Sequence, residues 1–155
     1  MSESYEIVLQ QVAAVDLHAL LKLIEMGAQD LSSLAVSGDF GEVGAVGINK
    51  SLIDAVVAAE GEVCLTEQLH GFKVLEAIRL PLVLMRVIKY EGKFDIDLSF
   101  DEVPSFDIDQ IMFAMQEYAV ALSRKFNIKE FYGGLEPAAD IDTRYFTGNA
   151  SGPVS

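Results

Sequence analysis

The sequence predicts a single α+β domain, an antiparallel sheet of about four to six strands with helices packed on one face. Three observations predict it. Residues 93–101 alternate apolar and polar without a lapse, and they follow an apolar, β-branched run across a two-residue connection, Glu91–Gly92. Segments 17–24 and 111–126 repeat apolar residues every three or four positions, the period of a helix with one buried face. Finally, 155 residues with 51% hydrophobic side chains suffice for one core, because a chain of this size buries roughly 70% of its unfolded surface.

Tyr5, Ile7 and Leu9 alternate with Glu6, Val8 and Gln10, so the first element reads as a strand. A helix follows, with Asp16 as N-cap, Val15 and Leu20 as a hydrophobic staple, and Leu17, Leu20, Leu21 and Ile24 as its apolar face. Gly27 supplies a left-handed stop. From Ala28 to Asn49 the periodicity fades. Asp30, Leu31 and Leu34 fit a further helical turn or two, and glycines at 38, 41, 44 and 47 indicate an irregular loop. Ser51 to Glu60 returns to helix, capped by Ser51 and ended by Gly61.

Residues 62–80 fit two strands around a turn at His70–Gly71, although Glu, Gln, Leu, Lys and Ala there also favour helix. In the hairpin of 82–101, Phe94, Ile96, Leu98 and Phe100 are expected to face the core, and Lys93, Asp95, Asp97, Ser99 and Asp101 to face water. Asp107 caps the last helix, with Gln110 completing a capping box and Phe106 stapled to Ile111; Asn127 closes it. Ile128 to Tyr132 returns as a short strand. The domain is expected to span 1–147, with 148–155 a flexible tail.

Several function classes find no footing. The chain carries 24 acidic against 11 basic residues, a net charge of −13, and its basic residues are dispersed, so nucleic acid is not an expected partner. The N-terminal MSESYEIVLQQ lacks the basic and apolar stretches of a secretory signal, and LPLVLM (80–85) falls far short of a membrane span. With the lone Cys64 as a free thiol, these indicate a reducing cytoplasm. GAVGINKS (44–51) has Asn49 where a phosphate loop needs glycine before its lysine. His18, His70 and Cys64 lack companions at metal-ligand spacing, and Cys64 and His70, six residues apart on a strand, are too distant to act together. No cofactor, metal or catalytic residue is expected.

Charge placement is the informative feature. Between Glu91 and Asp109 lie seven acids against Lys93 alone. Such a field speeds encounter with a basic partner by roughly 10–1000-fold at low salt. The segment 130–148 adds clustered aromatics with Arg144, and Tyr and Arg are favoured binding anchors. The candidate partner-binding residues are therefore Asp95, Asp97, Asp101, Glu102, Tyr132, Arg144 and Tyr145. Changing Asp95 and Asp97 together to lysine is expected to weaken binding and spare the fold.

In size, charge and expected compartment the chain resembles the bacterial immunity proteins of contact-dependent and polymorphic toxin systems. That resemblance implies a protein whose carboxylates cover the cationic site of a toxin, with a basic protein as partner. Class I type III secretion chaperones are similarly small, acidic and dimeric, so escorting a basic partner, and a homodimer, are the alternative; they begin with a helix, whereas this chain opens on a strand. A small-molecule site using Tyr132, Arg144 and His70 is a third reading, without a paired acid and base to support it.

Overall fold

A computed structural model describes residues 3–32, 34–37 and 47–151. In chain order they form β1 (Ser4–Val12), α1 (Ala14–Glu25), β2 (Asp30–Leu31), β3 (Ala35–Val36), α2 (Lys50–Ala58), β4 (Val63–Leu75), β5 (Ile78–Tyr90), β6 (Lys93–Asp101), α3 (Ile108–Phe126), β7 (Glu130–Leu135), β8 (Arg144–Thr147) and β9 (Ala150–Ser151). One antiparallel sheet runs in the order β2-β4-β5-β6-β1-β7-β8-β9, with β3 also paired to β4. The α+β class and the antiparallel sheet are as the sequence predicts. Among the described residues nine strands rather than four to six make up the sheet, because β2, β3 and β9 are two-residue pieces that no periodicity can announce.

Alternation divides the sheet into two faces. On the inner one, Ile7 and Leu9 of β1, Leu65 and Leu69 of β4, Met85 and Val87 of β5, and Ile96 and Leu98 of β6 form the floor of the core. Leu17, Leu20, Leu21 and Ile24 of α1, Ile53 and Val56 of α2, and Ile111, Met115 and Leu122 of α3 close it from above. Each of these side chains contributes roughly 1.5–3 kcal/mol on burial. The Glu91–Gly92 hairpin forms as expected, with both residues at positive φ, as a tight primed turn requires. Asp107 caps α3 by accepting the Asp109 N–H at 3.2 Å, and Asn127 ends it in the left-handed conformation.

Local details depart from the sequence reading. Helix α1 starts three residues early, with Ala13 at the N-cap position; Asp16 sits in the first turn and Val15 points into solvent, so no staple forms. A bulge at the end of β1, where Gln11 has φ 55°, turns the chain into the helix sooner than the apolar pattern suggests. Gly27 is not left-handed. A side chain there would press within 3.0 Å of the Phe72 ring, so the constraint is packing. Asp30–Leu31 and Ala35–Val36 are strands on the edge of β4, not helical turns. The glycines at 38, 41 and 44 lie outside the described residues. Asn49, rather than Ser51, caps α2, accepting the Leu52 N–H at 2.8 Å.

Residues 62–80 are strand, but their turn falls at 76–77 rather than 70–71. Gly71, with φ 61°, lies opposite Pro81 and kinks two long paired strands together. Inward facing switches from Leu69 to Phe72 on β4 and from Val83 to Leu80 on β5. A break in the alternation marks a turn and a kink equally well, which is why the sequence misplaces it. Beyond Thr147, residues 148–151 form a turn and β9, held by Gln116 Nε2 donating to Gly148 O at 3.0 Å.

Candidate functional site

The outer face of the sheet is closed at one end and open at the other. Over β1 and β7 it is covered by the segment after β7, which ends in a single 3-10 turn, Ile141–Thr143. There Val8, Tyr132 and Ala138 pack together, and the Ala138 N–H donates to Glu6 Oε1 at 3.0 Å. Arg144 lies 4.0 Å from the centre of the Tyr132 ring and donates from Nε to Ala138 O at 2.9 Å. This cover is built by a carboxylate, a guanidinium and a ring that all face inward.

Over β4 and β5 the described residues cover the outer row only in part, although Glu136 reaches Arg86, and Asp97 and Ser99 of β6 are buried. Gln68 from β4, Leu82, Leu84, Arg86 and Ile88 from β5, and Ser99 and Asp101 from β6 share this open face through their alternation. Leu82, 43% exposed, and half-buried Leu84 form an apolar ridge on a strand that is paired on both sides, and Ile88, 36% exposed, lies beyond the ion-paired Arg86. A depression of about 480 Å3 runs beside it, floored by Pro81, Leu82 and Leu84 and walled by Asp101, Glu102 and Glu136. A second, of about 380 Å3, shares Gln68 and Leu84 with the first. The surface is thus an apolar strip bordered by carboxylates, the composition of a protein-binding patch with an apolar centre and a polar rim.

The seven sequence-predicted residues do not form one patch. Asp101 and Glu102 wall the depression, although Asp101 also accepts the Ser4 hydroxyl at 2.7 Å. Asp95 accepts the Gln11 N–H at 2.9 Å and the Tyr90 hydroxyl at 3.3 Å, which fixes the β1 bulge. Tyr132 and Arg144 belong to the covered end. Tyr145 lies apart from both, edge-on to Tyr5 at 6.1 Å between ring centres.

Asp97 and Ser99 were expected to face water; both are buried, Asp97 at 8% exposure. Their strand is flanked by β5 and β1, whose side chains rise around them. Arg86 Nη2 meets Asp97 Oδ2 at 3.0 Å and Glu136 Oε1 at 3.3 Å. Burial, then the neighbouring Glu6 carboxyl, push the Asp97 carboxyl up to about 8, so Asp97 holds a proton far above the usual carboxylate range. Lysine at 97 would therefore bury an amine beside Arg86 and disturb the fold. Asp101 and Glu102 are the acids that can be reversed without that cost. Sequence reasoning missed Leu82, Leu84, Arg86 and Ile88. Their signal was present: an apolar run on both faces of β5, next to a partner strand whose outer row is acidic.

Among the described residues no group of three His, Cys, Asp or Glu side chains is arranged to hold a metal ion, and no helix is long and apolar enough to cross a membrane. Residues 3–151 match the family model described as PABL017 Cdi1I immunity protein. No curated protein matches the chain. Among solved structures, a chain in the crystal structure of the toxic C-terminal tip of CdiA from Pseudomonas aeruginosa in complex with immune protein is 35% identical, with a TM-score of 0.92 and coverage of 100% of both chains.

Proposed function

The chain belongs to the PABL017 Cdi1I immunity protein family, and from that premise we propose that it neutralises a CdiA-type toxic tip in the cytoplasm by covering it with the open outer face of β4, β5 and β6. Immunity by binding needs a surface of ordinary interface size, about 800 Å² per partner, with an apolar centre that excludes water. The observation that supports this face is exposed Leu82 with half-buried Leu84 beside the walls of Asp101, Glu102 and Glu136. Apolar contact along the ridge supplies the lasting affinity. The carboxylates, within a chain of net charge −13, favour a basic tip and accelerate its approach.

The division of labour gives the test. Binding of the purified chain to a CdiA toxic tip is measured at low and at high salt. Retained affinity with a reduced association rate at high salt is expected. No binding at either salt contradicts the toxin as partner, and a rate indifferent to salt contradicts the basic character assigned to it. Family membership also favours neutralising over escorting as the role of the chain.

A further inference from the structure

We propose that the solvent side of α3 is a contact between two copies of this chain, paired antiparallel about a two-fold axis. Phe113, Glu117, Val120, Ala121 and Arg124 fall along that side, with a phenyl ring 62% exposed at one end. They border a shallow cleft of about 390 Å3 completed by Gln116 and Asn149. Among the described residues neither Glu117 nor Arg124 meets an oppositely charged group of its own chain. Seven residues apart, they lie about 10.5 Å from each other along the helix, too far to pair.

A second copy resolves both charges at once. A two-fold axis between Val120 and Ala121 reverses the order of residues, so Glu117 of each copy stands opposite Arg124 of the other. Such an interface is self-complementary: one surface serves both sides. The small side chains at its centre let the helix axes approach to roughly 8–10 Å. Phe113, about 11 Å from the axis, then lies opposite position 128, just past the end of the other α3.

Charge decides for a second copy over a basic toxin. Glu117 and Arg124 cancel, so this is a neutral strip on a chain of net charge −13, where two acidic molecules meet with little repulsion. It also lies on the helical side of the molecule, opposite the open sheet face, so a dimer leaves that face free for two toxin tips. One helix pair buries less than a standard interface of about 1,600 Å², and the dimer is accordingly a weak one.

Sedimentation velocity over a concentration series tests this on the full chain. The mass is expected to rise from monomer to dimer across the micromolar range. Glu117→Arg and Arg124→Glu each weaken the dimer by about tenfold or more, because each turns two attractions into repulsions. The variant carrying both changes restores it. All these positions are exposed, and circular dichroism confirms the fold of each variant. A monomer at every concentration, or a double variant no better than the single ones, overturns the proposal. So does loss of toxin binding in Phe113→Glu, which would assign the surface to the toxin.

Discussion

Glu67→Gln should stabilise the protein in mildly alkaline solution and flatten its response to pH. Glu67 points inward from β4 at 1% exposure, against Glu25 of α1. Glu25 takes the local cation, Lys22 Nζ at 3.0 Å, and the Ile48 N–H at 2.8 Å. One cation thus serves two carboxyls. Burial, then the hydrogen bond and charge of Glu25, push the Glu67 carboxyl from 4.5 up to about 8. Its value is higher in the folded chain than in the unfolded one, so the folded state holds the proton more tightly. The stabilisation is complete below the unfolded value and is lost as pH rises, at about 1.4 kcal/mol per pH unit, or about 3 kcal/mol by neutral pH.

Glutamine has the same shape, no proton to lose, and an N–H for Glu25. It should therefore recover about 1–3 kcal/mol near pH 8 and change little near pH 5. Urea unfolding across that range reads the difference directly. Asp97 shifts in the same direction from its own buried site, so the variant keeps part of the wild-type slope and Glu67→Gln with Asp97→Asn keeps least. If the single variant loses stability in parallel with the wild type, Glu67 is not protonated in the fold and the reasoning fails.

Further expectations concern the frame that holds the open face. Gly134→Ala would drive a methyl into the Thr143 carbonyl and to 2.6 Å from Arg144 Cα; backbone cannot yield there, so a loss of about 3 kcal/mol is expected on thermal unfolding. A tolerated alanine would mean that β7 and β8 sit farther apart. Lys89 lies buried under the end of α2, donating to Val56 O at 3.0 Å, to Val57 O at 2.8 Å, and to Ala59 O. Lys89→Met strands those carbonyls and should cost about 1–3 kcal/mol, with faster amide exchange in α2; unchanged exchange would remove the lysine from that role. Glu6→Ala removes the acceptor of the Ala138 N–H. It should expose residues 136–143 to proteolysis while the hairpin of β5 and β6 stays protected, and equal protection throughout would deny Glu6 its hold on that segment.

What the sequence disclosed follows from the range over which each constraint acts. β1, the β5–β6 hairpin and α3 were legible because alternation, a two-residue turn and an Asp107 cap act within a few positions. β2 and β3 were not: two residues carry no period, and their pairing to Leu69 and Leu65 is a tertiary fact. The kink at Gly71 looked like a turn because its partner, Pro81, lies ten residues on and across the sheet. The acid row was legible as charge but not as surface. Asp97 is buried because β1 and β5 flank it and Arg86 and Glu6 meet it, and none of these neighbours is local. For the same reason the apolar run of β5 gave no sign of which of its side chains would stay exposed.

The assignment of the toxin to the open sheet face is tested most directly by titration calorimetry of the toxic tip against Leu82→Glu. That variant places a charge at the centre of the ridge, at a position already 43% exposed, and so leaves the fold intact. Asp101→Lys with Glu102→Lys, at its border, is titrated alongside. Leu82→Glu should weaken the complex by roughly a hundredfold, as loss of a central anchor does, and the border variant should chiefly slow association. Wild-type affinity in Leu82→Glu would place the toxin elsewhere on the molecule and contradict the account.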